Sequence, residues 1–241
     1  MKSLKETLQL GLEYHDTLNP KLWDLNTNKL KPEIRGHLLA IANAWAAFTK
    51  IPQDAIVDVV ISGGNANYNY SPLSDIDVHL RCNFTKMSVV DPEIMKDYIF
   101  SKMTLWSIKH PIVISGYPVQ LFAQDISDPE QTPINQGVYS LTKNEWEIMP
   151  NKLSIDYDND KMLKDKVNYY AKLIDHLIDS DASVDVIKKL RDKLSNMRAE
   201  SLHKSGEFSI GNLIYKSLRN SGYLQKLSNF ANGKEDKELS L

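Results

Sequence analysis

A chain of 241 residues, 42% of them hydrophobic, can bury one sizeable core, or a core with a smaller helical lobe beside it. Its 29 Lys/Arg against 31 Asp/Glu give a net charge of −2, so no global field announces a nucleic acid or a membrane surface. The single cysteine, Cys82, excludes a disulfide framework and a cysteine zinc site. No apolar run approaches the roughly 18 residues needed to span a bilayer, and the opening MKSLKETLQL lacks a signal-peptide core. The expectation is a soluble, cytoplasmic protein with no membrane partner.

Taken in order, residues 3 to 15 have helical spacing, with Ser3-x-x-Glu6 as a capping box and Leu4, Leu8 and Leu12 on one face. LNPKLWD (18–24) reads as a loop anchored by Trp23. A helix is expected from Pro32, in its first turn, to about Lys50, with Ile34, Leu38, Ile41, Trp45 and Phe48 at helical spacing.

The stretch DAIVDVVISGGNANYNYSPLSDIDVHL (54–80) then organises the chain. It reads as a buried strand (Ile56 to Ile61), a small-residue turn (Ser62-Gly63-Gly64-Asn65-Ala66), a polar loop, and a second strand (Ile76 to Leu80). Paired glycines at a strand end let backbone approach a ligand closely, and unpaired N–H groups there can hold phosphate oxygens. Strand alternation puts Asp75, Asp77 and His79 on one face and Ile76, Val78 and Leu80 on the other. Two neighbouring carboxylates repel unless a cation lies between them, and hard oxygen ligands on a rigid strand suit Mg²⁺. A phosphate cradle and metal carboxylates thus arrive on adjacent strands, which outlines a nucleotide site.

Beyond it, Asp91-Pro92 caps a helix running to about Ser107, with Ile94, Tyr98, Met103 and Trp106 facing inward. HPIVISGYPVQLFAQ (110–124) predicts a β-hairpin turning at Ser115-Gly116. Residues 125–136 read as a loop, and GVYSLTKNEWEIMP closes the first lobe around Tyr139 and Trp146. From about Asp158 the pattern turns helical: Leu163, Val167, Tyr170, Ile174 and Leu177 line one helix, and Val184, Ile187, Leu194, Met197 and Leu202 another. Ser209 can cap a third helix, from Ile210 to about Arg219, ended by Asn220-Ser221-Gly222. Its Ile210, Leu213, Ile214 and Leu218 read as core, with Lys216 and Arg219 on the opposite face. From Lys188 to Arg219 eight Lys/Arg stand against three Asp/Glu. Such an excess is usually a solvated face, but it also suits a wall for an anionic substrate. The tail ANGKEDKELSL reads as frayed.

The order of Gly63-Gly64, an intervening loop, and Ser74-Asp75-Ile76-Asp77 followed by hydrophobics resembles the signature of the nucleotidyltransferase-fold superfamily, also called DNA polymerase β-like. SDIDVHL, the later hairpin and GEFSxxNLxYKxLRNxGYL are similar to predicted nucleotidyltransferases of tailed bacteriophages, over roughly residues 20 to 230. The resemblance implies an α+β fold: a nucleotidyltransferase-like mixed sheet flanked by helices (1–150), then a C-terminal helical domain (151–241). It implies that the Ser62-Gly63-Gly64-Asn65 turn contacts a nucleoside triphosphate and that Asp75 and Asp77 bind Mg²⁺ or Mn²⁺, while the local positive excess makes Lys216 and Arg219 candidate further contacts. The acceptor (RNA, protein or a small molecule) is not written in the sequence, and a phage origin would place the protein in the host cytoplasm.

One position departs from the family. A third carboxylate is expected on a later strand, where Pro118-Val119-Gln120-Leu121-Phe122 offers Gln120. An amide oxygen is a weak ligand and no base. His79 is a candidate substitute base, although it reads first as a satisfied sheet histidine, and Asp125 is a candidate ligand or simply the start of a loop. Three functions follow: an active nucleotidyltransferase with Asp75, Asp77, Gln120 and His79 at its centre, a degenerate relative that binds a nucleotide or RNA end, or an interaction module using the helical lobe. Six scattered histidines lack zinc spacing, and no Gly-x₄-Gly-Lys-Ser/Thr is present, which excludes a P-loop ATPase. Cys82 reads as a structural thiol.

Overall fold

The computed structural model describes residues 9–87, 91–128, 134–157 and 159–240. They fold as α+β, in two compact units: residues 14–153, and the segment from Ser154 onward together with the described residues up to Glu13.

The first unit is built on a mixed six-stranded sheet. A short hairpin of two-residue strands, β1 (Trp23–Asp24) and β2 (Lys29–Leu30), precedes α1 (Pro32–Thr49). Proline at the first turn starts α1, and Lys50 in the left-handed conformation (φ 57°) stops it, its N–H returning to Ala46 and Ala47. Next come β3 (Ile56–Ser62) and β4 (Ile76–Cys82), an antiparallel pair, and then α2 (Pro92–Lys109). The Asp91 side chain accepts the N–H groups of Glu93 and Ile94, as the sequence predicts. The hairpin of β5 (Val113–Ile114) and β6 (Tyr117–Asp125) turns at Ser115-Gly116, both at positive φ, the geometry that matches strand twist. β7 (Val138–Ser140) and β8 (Glu145–Ile148) complete the order β5-β6-β4-β3-β7-β8, in which β4 and β6 run parallel.

One sheet face is the core. Ile61, Ile76, Val78, Leu80, Val119 and Leu121 pack with Leu38, Ala42 and Trp45 of α1 and Met95, Ile99 and Trp106 of α2. Ile94 is not among them. It is 60% exposed, because α2 is rolled so that its neighbour Met95 faces the sheet. The other sheet face carries a polar set from alternate positions. On it Asp58, only 4% exposed, accepts hydrogen bonds from the Val59 N–H (2.7 Å) and the Ser140 hydroxyl (2.9 Å), with Lys143 Nζ 3.6 Å away.

The second unit is helical: α3 (Lys161–Asp179), α4 (Val184–Ser205), α5 (Ile210–Asn220) and α6 (Tyr223–Leu239). Two expectations fail here. The tail is not frayed, since α6 continues to Leu239 with Leu227 and Ala231 buried. Lys234 donates to the carbonyls of Asp181 (2.8 Å) and Ala182 (2.9 Å), and Lys188 pairs with Glu235. The helix expected over 3–15 is absent from 9–15, and its residues 3–8 lie outside the described residues. Gly11, at φ +61°, leaves helical geometry, and its carbonyl accepts Asn220 Nδ2 at 2.7 Å.

Among the described residues no helix is long and apolar enough to cross a membrane.

Candidate functional site

The carbonyl-end residues of β3 and the start of β4 bring the predicted site together. Alternation along β4 buries Ile76, Val78 and Leu80 completely and leaves Asp77 and His79 half-buried on the opposite face. Ser62 pairs with Asp77 across the β3–β4 ladder, and Asp77 pairs with Gln120 across the β4–β6 ladder. Ser62, Asp77 and Gln120 therefore form one lateral row on the polar face, with Asp75 two residues ahead of Asp77 at the mouth of β4. Gln120 is exposed between buried Val119 and Leu121.

Gly63 closes the row. It holds φ 75° and ψ −162°, a region that only glycine enters readily. A β-carbon there would lie 2.0 Å from Asp77 Oδ2. The Asp77 carboxylate thus lies against the backbone of the turn, where a side chain would otherwise stand. Gly64 opens a single 3₁₀ turn, Gly64–Ala66, and a β-carbon on it would meet Ser74 Oγ at only 3.2 Å. These two positions predict different outcomes. Gly63→Ala is expected to cost about 1–3 kcal/mol in backbone strain and to displace the Asp77 carboxylate. Gly64→Ala needs Ser74 Oγ to give by a few tenths of an ångström and should perturb less than Gly63→Ala. Mn²⁺ titrations on the two folded variants check this, and equal losses would mean that the close approach at Gly63 is not what matters.

Asn65 has a different place from the one expected. Its side chain is fully buried, accepting from Asn19 Nδ2 (2.8 Å) and donating to the Asp75 carbonyl (2.8 Å), while its own carbonyl accepts Trp23 Nε1 (2.7 Å). It holds the turn and offers no side-chain atom to a nucleotide. Asn19 carried no local signal in the sequence, since it stands 46 residues before its partner.

His79 stacks on Phe122 (ring centroids 5.0 Å apart, 24° between planes), and its Nδ1 is 2.9 Å from Gln124 Oε1. Burial pushes its pKa down to about 4, against the raising effect of the Gln124 hydrogen bond and with help from the Arg81 charge. The ring is neutral at pH 7, and a pKa so low makes it a weak base. Asp125 leaves the candidate set. Alternation places it on the face opposite Gln120, at the far end of β6, where its Oδ1 accepts the Ser127 N–H (3.2 Å). Cys82 is fully buried, and burial with the nearby Asp125 charge pushes its thiol up to about 12, so it is no nucleophile.

Asp75, Asp77 and the Gln120 amide carry hard oxygen donors of the type that Mg²⁺ or Mn²⁺ takes. Among the described residues no group of three or more His, Cys, Asp or Glu side chains could hold a metal ion.

Lys216 and Arg219 lie on α5 in the helical unit, and they are not equivalent. Arg219 is exposed, whereas Lys216 is paired with Glu207, their side chains 14% and 7% exposed. Asn212 Nδ2 donates to the Glu207 carbonyl at 2.6 Å, and Gly211 lets α5 approach α4 so closely that a β-carbon would meet Ser201 Oγ at 2.1 Å. Ser209 occupies the N-cap position without a side-chain cap bond. GEFSxxNLxYKxLRN is therefore at least a packing motif, built on a buried ion pair. Removing one partner leaves a buried charge uncompensated, so Lys216→Ala should destabilise the protein by about 3–5 kcal/mol. Urea unfolding checks this, and Glu207→Leu combined with Lys216→Met should recover most of the loss.

No family model matches the chain, and no curated protein matches it. Two similar solved structures are cyclic dinucleotide synthases. One is CdnE of Elizabethkingia meningoseptica with GTP and Apcpp, 14% identical over 76% of this chain and 74% of that one, with a TM-score of 0.26. The other is a STING-associated CdnE c-di-GMP synthase from Flavobacteriaceae sp., 12% identical over 87% and 85% of the two chains, with a TM-score of 0.23. At these TM-scores neither likeness carries weight for fold or activity.

Proposed function

We propose that this protein is a divalent-metal-dependent nucleotidyltransferase of the DNA polymerase β-like type, transferring a nucleoside monophosphate from a triphosphate to a hydroxyl or amine acceptor. The observation that carries the reading is the row Ser62, Asp77 and Gln120 beside the Gly63-Gly64 turn, with the Asp77 carboxylate against the Gly63 backbone. The turn's N–H groups and the Ser62 hydroxyl hold phosphate oxygens. Asp75 and Asp77 hold Mg²⁺, which when bound neutralises phosphate charge and polarises the phosphoryl group under attack. Gln120 orients a ligand or water through its amide but takes no proton. Positioning and charge neutralisation supply most of the rate, and the acceptor proton leaves to solvent.

The neutral Gln120 next to Asp77 favours a second reading, a relative that binds nucleotide without turnover. One experiment separates the two. The protein is incubated with each labelled NTP and Mg²⁺ or Mn²⁺, with RNA, protein or small-molecule acceptors, while pyrophosphate release and nucleotide binding are followed together. Metal-dependent pyrophosphate release supports transfer. Binding without release supports the second reading, and neither signal would overturn both.

A further inference from the structure

The Asp75 main chain, at the mouth of β4, is held by a side chain from the turn before it. We propose that Asn19 and Asn65 form a buried amide relay that positions Asp75 and locks the phosphate turn to the cation site; this role rests on the proposed reading of that site. The relay runs in one direction. The Lys21 N–H donates to Asn19 Oδ1 (3.1 Å), Asn19 Nδ2 to Asn65 Oδ1 (2.8 Å), and Asn65 Nδ2 to the Asp75 carbonyl (2.8 Å). Asn19 is 1% exposed and Asn65 0%. A dry chain of amides is costly unless its polar atoms find partners, and here each side-chain nitrogen and oxygen of the relay has one. Trp23 Nε1 fixes the Asn65 carbonyl from the side (2.7 Å), and the Asn19 carbonyl accepts the N–H groups of Leu22 (3.0 Å) and Trp23 (2.9 Å).

Two features give the relay a role beyond cohesion. Its last bond takes the main-chain oxygen of Asp75, so it sets the backbone from which the carboxylate projects without using the carboxylate itself. Its middle member belongs to the Gly64–Ala66 turn, so phosphate cradle and cation ligand move as one piece. Asn19 and Asn65 are positioning residues, and neither touches substrate through its side chain. A ligand shell accurate to a few tenths of an ångström needs such outer support.

The test measures Mn²⁺ affinity by electron paramagnetic resonance on the full chain, with the melting temperature recorded for every variant. Asn19→Leu and Asn65→Leu keep side-chain size and remove the relay. Each should weaken Mn²⁺ binding about ten- to a hundredfold at temperatures where it is folded. Leu38→Ala, a core substitution behind the opposite face of the sheet, should lower the melting temperature and leave Mn²⁺ affinity alone. If a leucine variant fails to fold, Asn19→Ser, smaller and still polar, takes its place with the same expectation. Relay variants that bind Mn²⁺ like the wild type, or a Leu38→Ala loss as large as theirs, would overturn the relay while leaving the cation site standing. A wild-type protein that binds no Mn²⁺, or binds it equally after Asp77→Asn, would overturn the reading of the site and the relay with it.

Discussion

Asp77→Asn is expected to lower metal-dependent transfer about a thousandfold and to leave the melting temperature of the metal-free protein unchanged or slightly raised. The rate effect follows from losing a charged ligand worth several kcal/mol of transition-state stabilisation, at about 1.36 kcal/mol per factor of ten. The stability effect has the opposite sign because asparagine keeps the shape and relieves repulsion from Asp75. Asp77 lies half-buried on the polar face of β4 with its carboxylate against Gly63, and asparagine has the same shape there. Steady-state pyrophosphate release and a thermal melt in chelator check both halves. Full activity in Asp77→Asn and Asp75→Asn would remove these residues from the mechanism.

Gln120→Glu is expected to act in the other direction. Gln120 is exposed, so the substitution itself should change stability by no more than about 0.5 kcal/mol, apart from its charge. That charge stands beside Asp77 in register, so the metal-free protein should melt slightly lower and regain the loss when Mg²⁺ is added. On the proposed reading, Mg²⁺ affinity should rise, because a carboxylate would replace an amide oxygen beside the cation. Transfer should increase by about a hundred- to ten-thousandfold if the new carboxylate also serves as general base. Gln120→Leu is the control and should weaken metal binding mildly. A glutamate variant with unchanged Mg²⁺ affinity would show that position 120 does not reach the cation.

The sequence by itself determined what depends on short-range periodicity. The face of β4 was legible because a period of two with Ile76, Val78 and Leu80 admits one burial pattern, which forces Asp77 and His79 to the other side. The start of α1, the Asp91 cap and the Ser115-Gly116 turn were legible because proline, aspartate and glycine act on their own backbone. What only the tertiary structure decided were choices between partners distant in the chain. Nothing near Asn19 says that it meets Asn65, and nothing near Asn65 says that its amide serves Asp75 rather than a phosphate. Lys216 looked like a surface cation until Glu207, nine residues before it, was seen to bury with it. Tail residues 232–238, charged or polar but for Gly233, form helix with Lys234 and Glu235 finding partners at the start of α4 and just before it, which composition cannot foresee. Local rules fix the conformation of a segment, but a polar side chain takes its role from whichever distant group satisfies it when water is excluded.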